Sequence, residues 1–289
     1  MSDRSSRQTF LGGSSGEILA ACRVGIIGLG GGGSHIAQQL AHLGIGQFII
    51  CDPDRVEDSN LNRLVGATHR DAEVSTRKTA VARRLIKRIN PEAQVLCLPM
   101  RWQEEGIAFR NCDVIFGCVD SYSERDQIER MCRRFLIPYI DIGMDVTPLK
   151  SGYCISGQVI LSMPGKLCMW CLGFLNEALL AEEAARYGAA GARPQVIWPN
   201  GVLASVAVGV FVQLMTSWHG DPRPAIYLEY DGNRQTVFPS NRLRSLADKR
   251  CPHYGASSDL GDPFGQTRIK ASVNQSSPNM LDLLRLRPV

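Results

Sequence analysis

Short apolar runs alternate with amphipathic stretches through the first half of the chain. The runs are rich in β-branched residues and cover residues 24–29, 47–51, 93–98, 113–119 and 137–142. Between them, apolar residues recur with helical spacing, most clearly over 34–43 and 74–89. Nearly continuous apolar strands that alternate with helices are typical of a parallel sheet whose two faces are both covered. This half is therefore predicted to be a parallel α/β unit.

The pattern changes near residue 150. Three later segments look like half-exposed strands; they cover residues 153–162, 225–231 and 234–238. Gly232 and Asn233, between the last two segments, are a hairpin-turn signal. We expect an antiparallel half that continues the parallel one. The predicted fold class is therefore α/β, with a single mixed sheet flanked by helices.

One apolar stretch raises the question of a membrane span. No charged residue occurs between Arg193 and Asp221, and residues 201–215 are almost wholly apolar. A membrane-spanning helix needs about 20 predominantly apolar residues. This stretch is shorter, because a Pro-Asn pair precedes it and Gln213 interrupts it. We predict a buried helix that packs on the sheet, and no membrane partner.

Composition places the chain among globular proteins. Of its 289 residues 44% are apolar and 21% charged, which excludes a disordered chain. The net charge of +4 is too small for a dedicated nucleic-acid binder, so no nucleic-acid partner is expected. Several of the ten cysteines lie inside apolar runs, as buried reduced thiols do. The first residues contain no apolar segment typical of a secretory signal, and we expect a cytoplasmic protein.

A glycine run connects the first predicted strand to the first predicted helix, and it includes Gly28, Gly30, Gly31 and Gly33. Glycines let the backbone approach a phosphate, which the N–H groups at a helix N-terminus then bind. Asp52 ends the next strand, where a carboxylate typically accepts hydrogen bonds from ribose hydroxyls. We predict a Rossmann-like nucleotide-binding half. The glycine pattern by itself fits a nicotinamide dinucleotide as well as ATP.

A second block of polar residues distinguishes these nucleotides. Its members, in chain order, are Asp54, Asn60, Arg63, Lys78 and Asp120. Asp54 forms a D-x-D with Asp52, and Asn60 and Arg63 belong to an S-N-L-N-R segment. Lys78 lies on the next predicted helix, and Asp120 completes a V-D at the end of a strand. With the glycine run, this block resembles the ThiF/MoeB/HesA family, the bacterial relatives of ubiquitin-activating enzymes. The resemblance extends from about residue 7 to about residue 253.

The resemblance implies an ATP-dependent adenylyltransferase. Such an enzyme joins a carboxylate to the α-phosphorus of ATP and releases pyrophosphate, so it needs cations and a metal ion more than a general base. Arg63 and Lys78 would neutralise the phosphates, Asn60 would bind the phosphate chain or the ribose, and Asp120 would hold Mg²⁺. The local alternatives are a surface ion pair for Arg63, a solvated Lys78, and an Asp120 that caps a helix.

The same resemblance suggests partners. The substrate would be the C-terminal carboxylate of a small ubiquitin-like or sulfur-carrier protein. Arg7, followed by Gln8, lies 21 residues before Gly28, where family members place an arginine that reaches the partner of a homodimer. Three alternatives stay open at this point. The adenylated substrate could be a peptide or a small carboxylate, the chain could be a non-catalytic scaffold subunit of such an enzyme, or it could be an NAD-dependent oxidoreductase.

Two separated pairs of metal-binding residues follow in the second half. Cys168 and Cys171 form a C-x-x-C, and Cys251 and His253 form a C-x-H some 80 residues later. This is the spacing of a structural zinc site. Family members often carry a second C-x-x-C here; this chain has Tyr254 in place of the fourth cysteine, which leaves His253 as the nearest substitute. A metal-free remnant of such a site is the alternative.

The segment between the two pairs contains no cysteine from Leu172 to Arg250. Family members that form a thioester or persulfide use a cysteine in this segment. We therefore expect an enzyme that stops at the acyl adenylate. The predicted organisation is an N-terminal arm over 1–22, a nucleotide-binding half over 23–150, a carrier-binding half over 151–253, and a flexible tail over 254–289.

Overall fold

Eight strands form one sheet, and its two halves have different directions. A computed structural model of the chain describes residues 3–185, 194–219, 227–246 and 249–254. The strand order is β3-β2-β1-β4-β5-β6-β7-β8. Pairs from β3 to β5 are parallel and pairs from β5 to β8 antiparallel, so the predicted mixed sheet is confirmed. The strands are β1 Arg23–Ile27, β2 Gln47–Cys51, β3 Gln94–Leu98, β4 Val114–Gly117, β5 Tyr139–Pro148, β6 Tyr153–Ser162, β7 Tyr227–Asp231 and β8 Thr236–Pro239.

Helices cover both faces of the sheet. Those within the described ranges are α1 Ser15–Ala21, α2 Gly31–Leu43, α3 His69–Glu73, α4 Lys78–Ile89, α5 Tyr122–Phe135, α6 Glu177–Ala185 and α7 Ile197–Met215. Side chains of α2 and α7 share one core cluster with β1, β4, β5 and β6. A second cluster, on the opposite face, joins α5 to the segment that carries Cys168.

Strand β5 is where the sheet changes direction. It pairs parallel with β4 at Ile115↔Tyr139 and antiparallel with β6 along its whole length. The strand continues to Pro148, past the predicted end at residue 142. Its outer half, residues 143–148, is half-buried or exposed and mixes polar with apolar residues, so no apolar run marks it in the sequence. The carboxyl ends of β1, β2, β4 and β5 consequently meet at one edge, where parallel sheets bind ligands.

Helix α7 is the apolar stretch noted in the sequence. Its length and composition would suffice for a membrane span, but half of its residues are buried inside the protein. It packs against α2, β5 and β6. Leu203, Ala207 and Phe211 are at most 2% exposed. These contacts are those of a core helix.

Two local predictions were wrong in detail. The helix expected over 74–89 begins only at Lys78, since Ser75 adopts a left-handed backbone (φ 49°) that breaks it from α3. The hairpin turn after β7 spans four residues instead of two, because Asp231 accepts the backbone N–H groups of Asn233 and Arg234. The predicted tail, apart from Tyr254, lies outside the described residues, as do residues 225 and 226 of the predicted strand.

Candidate active site

The glycine run forms the connection from β1 to α2. Gly28 has φ +88°, a conformation that side chains rarely adopt. A Cβ atom on Gly33 would lie 1.9 Å from the carbonyl oxygen of Gly28, so this position excludes every other residue. Helix α2 begins at Gly31, three residues earlier than predicted. The first N–H groups of a helix have no partner within it, so this loop can bind an anion.

Asp52 fixes that loop from the next strand. Its carboxylate accepts the backbone N–H of Leu29 at 2.7 Å and that of Asp54 at 2.8 Å, and the side chain is buried. Burial raises the pKa of the Asp52 carboxyl, although the Lys78 ammonium and these two N–H donors act in the opposite direction. Both oxygens already accept backbone hydrogen bonds. Asp52 therefore holds the loop in shape, and its contact with a ribose stays a prediction.

Lys78 lies beside the two carboxylates of the D-x-D. It is the first residue of α4, and its Nζ is 2.7 Å from Oδ2 of Asp54 and 3.9 Å from Oδ1 of Asp52. The Lys78 side chain is mostly covered, whereas that of Asp54 is 62% exposed. The ammonium is thus held at the carboxyl end of β2, beside the glycine loop. A solvated surface lysine, the local alternative, is excluded.

The S-N-L-N-R segment is a turn packed against the start of α2. Asn60 is buried, and its Oδ1 accepts the backbone N–H of Glu57, so it shapes the turn. Arg63 donates to the carbonyl of Ser59 at 2.6 Å and to Oδ1 of Asn62 at 2.9 Å. No acidic partner within the described ranges forms an ion pair with Arg63, contrary to the alternative of a surface ion pair.

A hydrogen bond joins this turn to the glycine loop. The hydroxyl of Ser34, in the first turn of α2, accepts the N–H of Val65 at 3.0 Å and donates to the carbonyl of Gly31. The guanidinium of Arg63 is therefore carried on a segment anchored to the anion-binding end of α2.

Asp120 follows β4 and is exposed at the same edge of the sheet. The residue that caps α5 is its neighbour Ser121, whose hydroxyl accepts the N–H of Glu124, so Asp120 is not the helix cap. Glu183 of α6 accepts the N–H groups of Tyr122 and Ser123, the two residues that follow this cap. The Asp120 carboxylate therefore does not cap α5, and its role as an oxygen ligand of Mg²⁺ stays a prediction.

Two residues that the sequence analysis did not single out complete the cluster. The side-chain amide of Gln195 donates to Asp120 at 3.3 Å, and its backbone carbonyl accepts the Asn62 amide at 3.1 Å. This bridge links Asp120 to the arginine turn. Asn62 could have been found from its place beside Arg63, whereas Gln195 stands in no motif.

Among the residues predicted for the nucleotide site, Arg7 is not brought to this cluster within a single chain. It is exposed on a 3₁₀ helix, Asp3–Leu11. Within the described part of the chain, no hydrogen bond or ion pair joins it to the glycine loop. Its predicted role, which requires a second copy of the chain, stays a prediction.

The four predicted zinc ligands lie close together beside α5, at a place separate from the glycine loop. Atoms of Cys168, Cys171, Cys251 and His253 all lie within 4.8 Å of one another. Nδ1 of His253 is 3.3 Å from the sulfur of Cys168 and 3.4 Å from that of Cys171. Three thiols and one imidazole are a donor set that fits tetrahedral zinc, and the role of His253 as the fourth ligand stays a prediction.

The arrangement at the sheet edge suits one kind of ligand. A glycine loop with helix N–H groups, two cations and an exposed carboxylate converge there. Donors and cations of this kind stabilise charge on phosphate oxygens, and a carboxylate holds the accompanying divalent cation. The site is therefore built for a polyphosphate.

Comparison with known proteins agrees with this geometry. A molybdopterin-synthase adenylyltransferase of Haemophilus influenzae is 33% identical over 126 residues, 43% of this chain and 51% of that protein, so the match spans about half of the relative's length. The sulfur carrier protein ThiS adenylyltransferase of Escherichia coli is 29% identical over 83% of this chain and 88% of its own. The crystal structure of E. coli MccB with ATP shares the fold, with a TM-score of 0.68 at 21% identity, over 83% of this chain and 72% of that one. The ThiF family profile extends over residues 3–253, and the chain belongs to that family.

Proposed function

We propose that the protein is an ATP- and Mg²⁺-dependent adenylyltransferase. It activates the C-terminal carboxylate of a small ubiquitin-like or sulfur-carrier protein as an acyl adenylate. The observation that carries this proposal is the convergence of the glycine loop, Lys78, the Arg63 turn and Asp120 at one edge of the sheet. A dehydrogenase has no use for this cationic block, which favours ATP over a nicotinamide cofactor.

The reaction joins a carboxylate oxygen of the carrier to the α-phosphorus of ATP. The bond from that phosphorus to the bridging oxygen of the β-phosphate breaks, and pyrophosphate leaves with the electron pair. Lys78 and Arg63 stabilise the negative charge that spreads over the phosphate oxygens. The glycine loop, held by Asp52, positions the nucleotide. Asp120 would hold Mg²⁺, which screens the phosphates when bound.

The other expected components are part of the same proposal. One zinc ion per chain would bind Cys168, Cys171, Cys251 and His253, where thiolates and an imidazole are already grouped. A homodimer would bring Arg7 of one copy to the site of the other, as an arginine finger. All ten cysteines are free thiols, which suits a reducing compartment such as the cytoplasm.

We expect ATP–pyrophosphate exchange that depends on Mg²⁺ and on a carrier protein with a free C-terminal carboxylate. The measurement incubates the purified protein with candidate carriers and labelled pyrophosphate. A carrier lacking its last residue is the matched control, because it presents the carboxylate at the wrong position. Saturable binding of NAD in calorimetry, with no response to Mg-ATP, would contradict the proposal.

We also expect no covalent intermediate between this enzyme and its carrier. A nucleophilic cysteine needs a lowered pKa and a path to the adenylate. Burial instead raises the pKa of Cys51 and of Cys112 to about 12 each, and the pKa values of Cys118 and Cys132 well above their usual range. Against the effect of burial, hydrogen bonds lower the pKa of Cys251, but that thiol is one of the proposed zinc ligands. Incubation with ATP and carrier should therefore give no reductant-sensitive band on a non-reducing gel. A band at the summed mass that disappears when one cysteine is replaced would identify a nucleophile.

A further inference from the structure

The turn that carries Cys168 and Cys171, here called the thiol turn (residues 166–171), rests on one face of α5. Arg133 of α5 donates to the carbonyls of Lys166 and Leu167, at 3.0 Å each. The same guanidinium donates to the hydroxyl of Ser162, on β6, at 2.7 Å. The backbone just before the first thiol is therefore held by a single buried cation.

A buried carboxyl group holds the middle of the turn. Glu129, one helical turn before Arg133 on α5, accepts the backbone N–H of Met169 at 2.9 Å and the hydroxyl of Ser162. Glu129 is 0% exposed, and its carboxylate lies 3.9 Å from the guanidinium of Arg133. A buried charge is tolerated when it is paired and hydrogen-bonded, and most partners of this pair are groups of the thiol turn or of Ser162.

Asp126 extends this contact by a further turn of α5. It accepts the indole N–H of Trp170 at 2.7 Å. Trp170 stands between the two thiols in the sequence. Asp126, Glu129 and Arg133 thus lie on one helix face and engage the turn at successive positions, from Lys166 to Trp170.

Cys251 and His253, the other two proposed ligands, are held by fewer described contacts. His253 is exposed and Cys251 is half-buried. The described contacts of their segment include those with the two thiols and two ring contacts. The His253 ring lies 6.1 Å from that of Trp170, and the Tyr254 ring lies 5.1 Å from the Arg133 guanidinium. The two halves of the ligand set therefore differ in how firmly the protein itself places them.

We propose that Asp126, Glu129 and Arg133 form the thiol turn before any metal binds, and that zinc attaches residues 251–254 to this preformed half-site. The inference rests on the zinc site proposed above and not on adenylation. Groups that hold metal ligands in the binding geometry raise metal affinity, because fewer residues then have to become ordered when the metal binds.

The same helix gives the thiol turn a connection to the candidate active site. Helix α5 starts two residues after Asp120. Phe174, just after the turn, packs on Tyr122 in the first turn of α5, with ring centroids 5.8 Å apart, and lies 5.7 Å from the Arg125 guanidinium. A thiol turn that α5 holds without metal therefore supports the helix start beside Asp120 in both the zinc-free and the zinc-loaded protein.

Amide hydrogen exchange of the full chain, with zinc and after its removal by a chelator, tests the proposal. We expect the amides of Met169, Leu172 and Phe174 to stay protected without zinc, because their acceptors lie in Glu129 and in the turn itself. Amides of residues 249–254 should lose their protection. If the thiol turn loses protection together with that segment when zinc is removed, the metal forms the turn and the proposal is wrong.

Variants give a second measurement, the zinc affinity in competition with a chromogenic chelator. Trp170→Phe removes the bond to Asp126 but keeps an aromatic ring beside His253, and Glu129→Gln keeps an acceptor for Met169 but removes the carboxyl group. Each should weaken zinc binding about 10-fold or more, as loss of groups that orient metal ligands does. Both should speed exchange at Met169 without changing exchange in β1 and β2. Arg134→Gln, an exposed neighbour of Arg133, is the control and should change neither.

Equal zinc affinity in the control and in both variants would overturn the proposal, and so would a chain that binds no zinc. Neither outcome affects pyrophosphate exchange by the wild-type chain, which tests adenylation separately. Trp170→Phe retains a large apolar side chain, so the test does not depend on the folding of the Glu129 variant.

Discussion

Replacing Asp120 with alanine is expected to lower ATP–pyrophosphate exchange by about 100-fold or more, the usual loss when a group that stabilises transition-state charge is removed. The side chain is exposed, its described hydrogen bond is to Gln195, and helix α5 is capped by Ser121 instead. The fold should therefore be unaffected. The loss should appear in the rate, with only a small change in melting temperature.

The matched control is Glu92→Gln, which also neutralises one exposed carboxylate, on the loop between α4 and β3. It should leave exchange at the wild-type level. Titration with Mg²⁺ adds a second criterion, because a missing metal ligand should raise the Mg²⁺ concentration needed for half-maximal rate. Near wild-type exchange by Asp120→Ala would show that another group holds the metal.

Gly33→Ala is expected to have the largest effect on stability. The added methyl would meet the Gly28 carbonyl at 1.9 Å, and a backbone atom cannot move aside as a flexible side chain can. Overpacking of this kind costs about 2–4 kcal/mol, which corresponds to a melting temperature lower by on the order of 10 °C. ATP should no longer raise the melting temperature, because the loop that binds it is displaced.

Gly209→Ala separates this steric effect from the loss of a glycine as such. A Cβ atom at position 209 meets nothing within 4 Å, and the residue lies inside helix α7, where the helical backbone suits alanine. Its melting temperature without nucleotide should stay near that of the wild type. If thermal unfolding shows the two variants to be equally stable, the close approach of Gly33 to Gly28 is not a constraint on the fold.

The inner strands of the parallel half, β1, β2 and β4, could be predicted because they are buried on both faces. Such strands are continuous apolar runs, and β2 lies at 47–51 as predicted. The outer half of β5, which is half-buried or exposed, has no such run and was missed. The break at Ser75 was missed because a left-handed backbone at a serine has no sequence signal.

The features of the candidate site also differ in whether the sequence could predict them. Gly28, Lys78 and Asp120 could be predicted, since each stands in a motif whose residues follow one another along the chain. The bridge from Asn62 through Gln195 to Asp120 joins segments that are far apart in sequence, and no local pattern indicates it. Asp52 was found, but its hydrogen bond to Leu29 was not, because a loop's backbone geometry is a property of the folded chain.

The packing of α2 against α7 has a consequence for synthesis of the protein. Leu40 and Leu203 share one core cluster, yet the second is made long after the first. At about 5–20 residues per second, roughly 8–30 s pass between them on the ribosome. During that time the apolar surfaces of α2, β5 and β6 that α7 later covers are exposed, so the nascent chain should depend on chaperones that bind apolar surfaces. Chains released before α7 should aggregate.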